Sequence, residues 1–280
     1  MKCCLTTKTL ICVTVLIAHL IVAGRAYALS VIVAPNESAI TFAKEISSAL
    51  NDKSIIVESP EDPQLKHASL IITIGDNAYR SIPGTIKAPI IASFISYNSF
   101  YSSSQEKRSN TYAIYMEPDP KVLMSEIIHV FGEGTKIGYI FDDEDYYYQR
   151  LIESNRNQIV GIPLFDNALK SLSNLYTSQK VDGFYISDNR SIFNRSNILL
   201  VLESLYRNRV PAITTNKSLD GRGSVLTLYV SYEEIIKRTT EIADALFSGK
   251  PVTVNNFGDP RKSLDQRLAQ KVNLSVGRIK

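Results

Sequence analysis

The chain alternates short apolar runs with amphipathic stretches along almost its whole length, and this alternation most restricts how it can fold. Runs such as SLIITIG (69–75), KIGYIF (136–141) and VPAIT (210–214) are largely apolar. Strands of this kind are buried on both faces, which is typical of parallel sheets covered by helices on both sides. The intervening stretches have helical spacing, as residues 39–50 do. This order predicts an α/β fold with doubly wound parallel sheets.

A pair of prolines, Pro118 and Pro120, interrupts the alternation between two sets of strands. Such a break, in a chain long enough for two cores of ordinary size, indicates two lobes joined by a hinge. The predicted first lobe comprises residues 29–115 and 225–250, and the predicted second lobe comprises residues 116–224 and 251–280.

The first 28 residues have the pattern of a secretory signal peptide. Lys2 and Lys8 give a basic start, residues 10–24 form an apolar core, and the Ala-Tyr-Ala at 26–28 is a small-x-small cleavage site. The apolar run is shorter than the ~20 residues of a membrane span, so an uncleaved anchor is the weaker alternative. We therefore expect export to the periplasm, with cleavage after Ala28.

Removal of this leader changes what the composition implies. All three cysteines, Cys3, Cys4 and Cys12, lie within it, so we expect no disulfide and no thiol chemistry in the mature chain. Three of the 31 basic residues also lie there, which leaves 28 basic residues against 28 acidic ones. A balanced charge predicts no polyanion-binding surface, and nucleic acid is not an expected partner.

Polar side chains follow most of the predicted strands at the point where each strand ends. In open α/β sheets the carboxyl ends of the strands bind small ligands, and polar side chains with free helix amides suit a small polar or anionic one. Alternatively, these residues are ordinary helix caps and turn formers. The segments are APNESA (34–39), GDNA (75–78), ISYNS (95–99), FDDEDYYY (141–148), FDNA (165–168), SDNRS (187–191) and TTNKS (214–218).

Two of these segments allow a more specific interpretation. The acidic residues 142–145 could bind a metal through oxygen ligands, but they lack the spacing of a calcium loop, and a solvated acidic edge is the simpler interpretation. An acidic strand end also resembles a phosphoacceptor receiver domain, which the leader argues against. The tyrosines at 146–148, with Tyr97 and Tyr101, could stack on a ligand or pack at the edge of a cleft.

The sequence lacks the motifs of the common catalytic and cofactor sites. It has no Gly-x-Ser-x-Gly elbow, no Gly-rich phosphate loop and no His-Glu-x-x-His. The glycines of GEGTKIG (132–138) precede a predicted strand, whereas a dinucleotide loop follows one. His67 and His129 are the histidines outside the leader, and His129 lies in a helical stretch typical of packed residues. The sequence therefore predicts no enzyme, no cofactor and no metal.

Several segments together carry a family resemblance. They are APIIASFIS (88–96), PDPKVLMSEIIHVFGEGTKIGYIFDD (118–143), VDGFYISDN (181–189) with VPAITTN (210–216), LYVSYEEIIKRTTEIADALFSGKPV (228–252) and SLDQRLAQKVNLSV (263–276). In order, they are similar to a strand before a cleft loop, a helix and strand opening a second lobe, paired strands ending at a ligand, a return helix and a terminal segment. On these segments the chain resembles the uncharacterised type of ABC-transporter periplasmic substrate-binding proteins, which have the two-lobed type I periplasmic-binding fold.

This resemblance implies a monomeric, non-enzymatic protein that captures a small polar ligand, such as an amino acid, for an inner-membrane ABC permease. One alternative is a periplasmic sensory partner of a membrane signalling protein, and another is a hydrolase or transferase on the same fold. The resemblance implies ligand contacts from Asn36, Ser38, Asp76, Asn77, Ser96, Tyr97, Asp143, Asp188, Asn189 and Asn216. We add Tyr146, which we expect to stack on the ligand together with Tyr97.

Overall fold

The computed structural model describes residues 29–51, 54–103, 108–178, 180–272 and 274. The predicted signal peptide, residues 1–28, lies outside them. Within the described ranges, no helix combines the length and the apolar character that crossing a membrane requires.

Six parallel strands form the first sheet. They are β1 (Ser30–Val33), β2 (Ser54–Val57), β3 (Leu70–Ile74), β4 (Ile90–Ile95), β5 (Thr111–Tyr115) and β11 (Asn255–Phe257). Their order across the sheet is β11-β5-β4-β3-β1-β2. The apolar runs of the sequence supply its centre, since every residue of β1, β3 and β4 is buried.

The second sheet also has six strands. They are β6 (Ile137–Phe141), β7 (Ile159–Pro163), β8 (Gly183–Ile186), β9 (Ala212–Thr214), β10 (Leu226–Val230) and β12 (Pro260–Leu264). Their order is β12-β10-β9-β8-β6-β7. Neighbouring strands run parallel, apart from the edge strand β12, which pairs antiparallel with β10.

Helices connect the strands of each sheet. They are α1 (Glu37–Ala49), α2 (Asp76–Arg80), α3 (Tyr97–Ser102), α4 (Pro120–Phe131), α5 (Tyr146–Asn155), α6 (Ala168–Ser178), α7 (Ile198–Arg207), α8 (Tyr232–Phe247) and α9 (Gln266–Lys271). Many begin at a side-chain cap, as α3 does at Ser96, α5 at Asp145 and α8 at Ser231. The prediction of two doubly wound parallel-sheet lobes is confirmed.

Sheet membership differs from the predicted lobe boundaries at two strands. Strand β10 lies within the residues predicted for the first lobe but pairs with β9 in the second sheet. Strand β11 lies within the residues predicted for the second lobe but pairs with β5 in the first sheet. The chain therefore crosses between the sheets after β5, after β10 and after β11. The second crossing takes the single residue Ser231, which leaves no linker for a sequence pattern to reveal.

The two lobes share a packed core beside these crossings. One hydrophobic cluster contains Tyr115 of the first sheet, Tyr139 of the second and Tyr147 of α5. Two further clusters lie on the remaining faces of the sheets, one in the second lobe and one in the first lobe, where Val230 at the end of β10 joins it. The lobes are consequently held together by apolar packing on the hinge side, while their strand ends face one another.

Replacing Gly138 with alanine is expected to destabilise the second sheet. The added Cβ would lie 2.9 Å from Phe184 Cδ2 and 3.2 Å from Leu175 Cδ2, and both of these side chains are fully buried. Overpacking of this kind costs roughly 1–3 kcal/mol. Thermal unfolding should show a lower Tm for Gly138→Ala. Gly84→Ala is the control, because its Cβ would meet nothing nearer than Arg108 at 3.8 Å. Equal Tm values for the two variants would contradict the predicted overpacking at Gly138.

Candidate functional site

A cleft of about 660 Å³ lies between the lobes, at the carboxyl ends of β3, β4, β6 and β8. Both lobes contribute polar and charged side chains to its walls. The first lobe and the crossing after β5 supply Asp76, Arg80, Ser96, Asn98, Ser99, Ser102 and Met116. The second lobe supplies Asp142, Asp143, Glu144, Asp188, Asn189, Arg190 and Ser191. The cleft has the volume and position expected of a small-molecule site in this type of fold.

The wall of the first lobe is built around Asp76, the first residue of α2. Its carboxylate accepts a hydrogen bond from Ser96 N at 2.9 Å, which ties the end of β3 to the end of β4. Ser96 Oγ in turn accepts from Ser99 N and so caps α3. Just before this cap, Phe94 has a left-handed φ of 57° at a bulge in β4. A bulge bends a strand and re-aims the residues that follow it, here Ser96 and α3.

The wall of the second lobe is a hydrogen-bonded network that joins the ends of three strands. Asp142 Oδ2, after β6, accepts from Asn189 Nδ2 at 3.2 Å and from Ser191 Oγ at 2.9 Å, both after β8. Asp188 Oδ1 accepts from Asn216 Nδ2, after β9, at 3.1 Å. These bonds hold the acidic side chains in defined positions before any ligand arrives.

Asn98 connects the two lobes directly. Its Nδ2 donates to Asp145 Oδ1 at 3.1 Å, and its Oδ1 accepts from Tyr147 N at 2.8 Å. Asp145 is only 1 % exposed and also accepts from Tyr139 Oη and Tyr148 N. Burial raises the pKa of the Asp145 carboxyl, and these hydrogen bonds oppose that rise. Helix α3 is thereby docked on α5 at one end of the cleft.

Glu117 lies on the first crossing between the lobes, behind the cleft. It is 7 % exposed, and both carboxylate oxygens accept from Tyr97 N. Burial raises its pKa to about 8, and the negative charge of Asp188 and, less strongly, that of Asp76 add to this rise. A smaller cavity of about 160 Å³ is lined by both Glu117 and Asp188. Carboxyl groups from both lobes and from the hinge therefore converge on one region.

Burial also raises the pKa of Asp188, which lines the cleft and the two cavities next to it. The guanidinium of Arg190 and the hydrogen bond from Asn216 oppose this rise, whereas Asp76 adds to it. The Asp188 carboxyl of the second lobe therefore interacts electrostatically with Asp76 of the first lobe.

Five of the eleven predicted site residues line the cleft. They are Asp76, Ser96, Asp143, Asp188 and Asn189. Asn216 lies behind them and holds Asp188 through its amide. Ligand contact by these residues stays a prediction, but the structure brings them together from both lobes.

Three other predicted residues lie outside the lining of the cleft. Asn36 is exposed, and its side chain caps α1 by accepting from Ala39 N. Ser38 is exposed within α1, and Asn77 is exposed within α2. At Asn36 the structure shows the alternative interpretation, a helix cap, and ligand contact by Ser38 and Asn77 stays a prediction.

The two tyrosines expected to stack on the ligand also lie outside the lining. Tyr97 is 7 % exposed and is packed among Tyr101, Tyr115, Tyr147 and Phe257. Tyr146 packs against Tyr101, with ring centroids 6.1 Å apart. These aromatic rings belong to the core shared by the lobes, because burying them there removes more apolar surface from water than an open cleft would.

Sequence reasoning missed several lining residues. Asp142, Glu144, Asn98, Ser99, Arg190 and Ser191 occur in the strand-end segments singled out above, but nothing marked them individually. No sequence pattern marked Arg80, Ser102 or Met116 as lining residues, and none marked Glu117, which lies behind the cleft. The acidic stretch 142–145 is not a uniformly solvated edge, since Asp145 is buried as a helix cap. Among the described residues, no three His, Cys, Asp or Glu side chains are placed to hold a metal.

Replacing Asn98 with alanine is expected to loosen the docking of the lobes. The change removes both hydrogen bonds across the lobe boundary and leaves Tyr147 N without its acceptor, a loss of about 1–3 kcal/mol. Small-angle X-ray scattering should show a larger radius of gyration, and Tm should fall. Asn157→Ala, at an exposed site of the second lobe, is the matched control. An unchanged radius of gyration for Asn98→Ala would show that the bridge does not hold the lobes.

Replacing Glu117 with glutamine is expected to change how stability depends on pH. The pKa of Glu117 is higher in the folded protein than its ordinary value of 4.5, so folded Glu117 keeps a proton that the unfolded chain releases. This contribution to stability is full below pH 4.5 and is lost as pH rises to about 8, at about 1.4 kcal/mol per pKa unit.

The Glu117→Gln variant should therefore gain stability relative to the native protein as pH rises from 5 to 8. Chemical denaturation at several pH values measures this difference. Glu144→Gln removes the same charge from an exposed position and serves as the control. A difference between Glu117→Gln and the native protein that stays constant with pH would contradict the raised pKa.

Comparison with known proteins identifies the fold. No family model matches the chain, and no curated protein matches it. A ligand-free, open substrate-binding protein with adhesive properties from Clostridium difficile superposes with a TM-score of 0.62 at 12% identity, over 88% of this chain and 95% of that one. An ABC domain from Streptococcus pneumoniae in complex with L-Trp superposes with a TM-score of 0.56 at 14% identity, over 89% of this chain and 95% of that one. A glucose-galactose binding protein from Geobacillus stearothermophilus superposes with a TM-score of 0.50 at 10% identity, over 84% of this chain and 96% of that one. The chain has the fold of the type I periplasmic binding proteins.

Proposed function

We propose that this protein is a periplasmic solute-binding protein that captures a small polar ligand, such as an amino acid, between its lobes. The observation that carries the proposal is the cleft, in which polar strand ends of both sheets face one another. The proposed ligand contacts are Asp76 and Ser96 from the first lobe and Asp143, Asp188 and Asn189 from the second.

Binding would act on the equilibrium between open and closed arrangements of the lobes. The three crossings between the sheets form the hinge, and a ligand that touches both walls stabilises the closed arrangement by contacts that the open one lacks. Asn216 would act on the ligand indirectly, since it fixes the orientation of Asp188.

The proposal includes delivery of the ligand to an inner-membrane ABC permease. The predicted leader supports export to the periplasm, where such a permease receives its solute. The absence of catalytic motifs from the sequence supports a role in binding rather than catalysis. The ABC domain in complex with L-Trp and the glucose-galactose binding protein named above support capture of a small molecule by a fold of this kind.

The test begins with identification of the ligand. Protein purified from the periplasm is analysed by mass spectrometry for retained small molecules, and the molecule found is added to ligand-free protein in a thermal-shift assay. We expect it to raise Tm, and we expect replacement of both Asp188 and Asn189 by alanine to abolish the rise.

The control variant is Asn77→Ala, because Asn77 directly follows Asp76 but is exposed outside the lining. It should bind as the native protein does. If the double variant stays folded by circular dichroism and still shows the full ligand-induced shift, the cleft is not the binding site.

A further inference from the structure

The cleft carries an excess of negative charge. Two guanidinium groups, of Arg80 and Arg190, lie among its lining residues. The five lining carboxylates are those of Asp76, Asp142, Asp143, Glu144 and Asp188. Within the described part of the chain, none of these five carboxylates takes part in an ion pair. The charge of residues 29–280, which is balanced overall, is therefore unevenly distributed, with an excess of acidic groups in the cleft.

Three carboxyl groups converge at the back of this region, with Asp76 from the first lobe, Glu117 from the first crossing and Asp188 from the second lobe. Beyond the effect of burial, the charge of Asp188 raises the pKa of Glu117, and the charge of Asp76 raises the pKa of both Glu117 and Asp188. Bringing like charges together in partly buried surroundings is unfavourable unless a positive charge accompanies them. Arg190 offsets part of the charge of Asp188, but within the described ranges Asp76 and Glu117 accept hydrogen bonds from hydroxyl and backbone donors only.

One oxygen of a lining carboxylate also lacks a hydrogen-bond donor. Asp142 Oδ2 accepts from Asn189 and Ser191, but its Oδ1 is buried and has no partner in the described structure. A buried acceptor without a donor is costly, so hydrogen bonds compensate the negative charge of Asp142 incompletely. An alkylammonium supplies three N–H donors and a guanidinium supplies five.

The geometry favours an organic cation over a metal ion. No three metal-ligating side chains come together within the described ranges, so the carboxylates are too dispersed to chelate one ion. A volume of about 660 Å³ suits a molecule with several non-hydrogen atoms. Its walls offer no ring for stacking, since Met116 is the one large apolar side chain among the described lining residues.

We infer that the ligand is a small organic cation bearing a protonated amine or guanidinium group, with Asp188 and Asp76 as its counter-charges. This inference rests on the proposed function and narrows the class of its ligand. The cation would be held between the lobes, one carboxylate on each side, next to the incompletely hydrogen-bonded carboxylate of Asp142.

The experiment compares molecules of nearly equal size that differ in charge. Titration calorimetry on protein freed of ligand by unfolding and refolding, at pH 7.5 and low salt, uses L-arginine against L-citrulline and L-lysine against L-norleucine. Putrescine, L-glutamate and L-tryptophan complete the set. We expect at least one cationic probe to bind, and to bind at least tenfold more tightly than its neutral counterpart.

Two variants test whether the preference for cationic probes arises in the cleft. Asp188→Asn keeps an oxygen for Asn216 but removes the charge, and it should weaken binding of the cation at least tenfold. Asp166→Asn removes the same charge from an exposed position outside the cleft, and it should bind the cation as the native protein does.

Binding of neutral or anionic probes with no preference for the cationic ones would overturn the inference and leave the capture function standing. Failure of every cationic probe to bind would also overturn it, and the mass-spectrometric search for a retained molecule then tests the capture function separately. Equal losses in Asp188→Asn and Asp166→Asn would show that net charge, not the cleft, attracts the cation.

Discussion

The docking of one lobe on the other through Asn98 determines the shape of the site. Parallel sheets place all their carboxyl strand ends at one edge, but this constraint acts within each lobe alone. The two edges face one another because α3 sits on α5, where Asn98 bonds both Asp145 and Tyr147 and the surrounding tyrosines fill the space between the lobes. This contact fixes α3 against α5 and so sets the separation of the two edges at that end of the cleft.

The same region combines an aromatic core shared by both lobes with buried acidic groups. Tyr115, Tyr139 and Tyr147 belong to a core that runs through both lobes, while Glu117 is buried beside it with a raised pKa. Apolar burial offsets the cost of keeping carboxyl groups where water is scarce. Functional sites commonly contain such locally unfavourable groups, and the surrounding fold must be stable enough to hold them.

The sequence predicts the fold well because burial of a parallel sheet imposes a pattern that is local and repeated. The apolar runs at 69–75, 136–141 and 210–214 contain strands β3, β6 and β9, and the strand-end segments contain most of the cleft. The pattern does not distinguish a cap such as Asn36 from a lining residue such as Asn98, since both are polar residues near a helix start. That difference depends on which strand ends meet across the cleft, which is a property of the tertiary structure.

The features that sequence reasoning missed share a physical cause. Glu117 and Arg80 follow no motif, and they matter because distant parts of the chain pack around them. Tyr97 lies in a strand-end segment, yet it is packed against Phe257 of β11, which the chain reaches only after it has crossed to the second lobe and returned through α8. A tyrosine suits a cleft wall and a core equally well, so its position could be assigned only once the crossing of β11 into the first sheet was known.

The charges of the cleft also suggest how a ligand would change the balance between open and closed lobes. Asp76 and Asp188 belong to different lobes, so their mutual repulsion opposes closure while the Asn98 bridge favours it. A ligand can shift such an equilibrium only by interacting differently with the two arrangements. On the proposed function, a cation between these carboxylates turns the repulsion into two attractions that exist only in the closed arrangement. A neutral molecule of the same shape would leave the repulsion in place, which is why charge, more than size, should decide which solutes close the lobes.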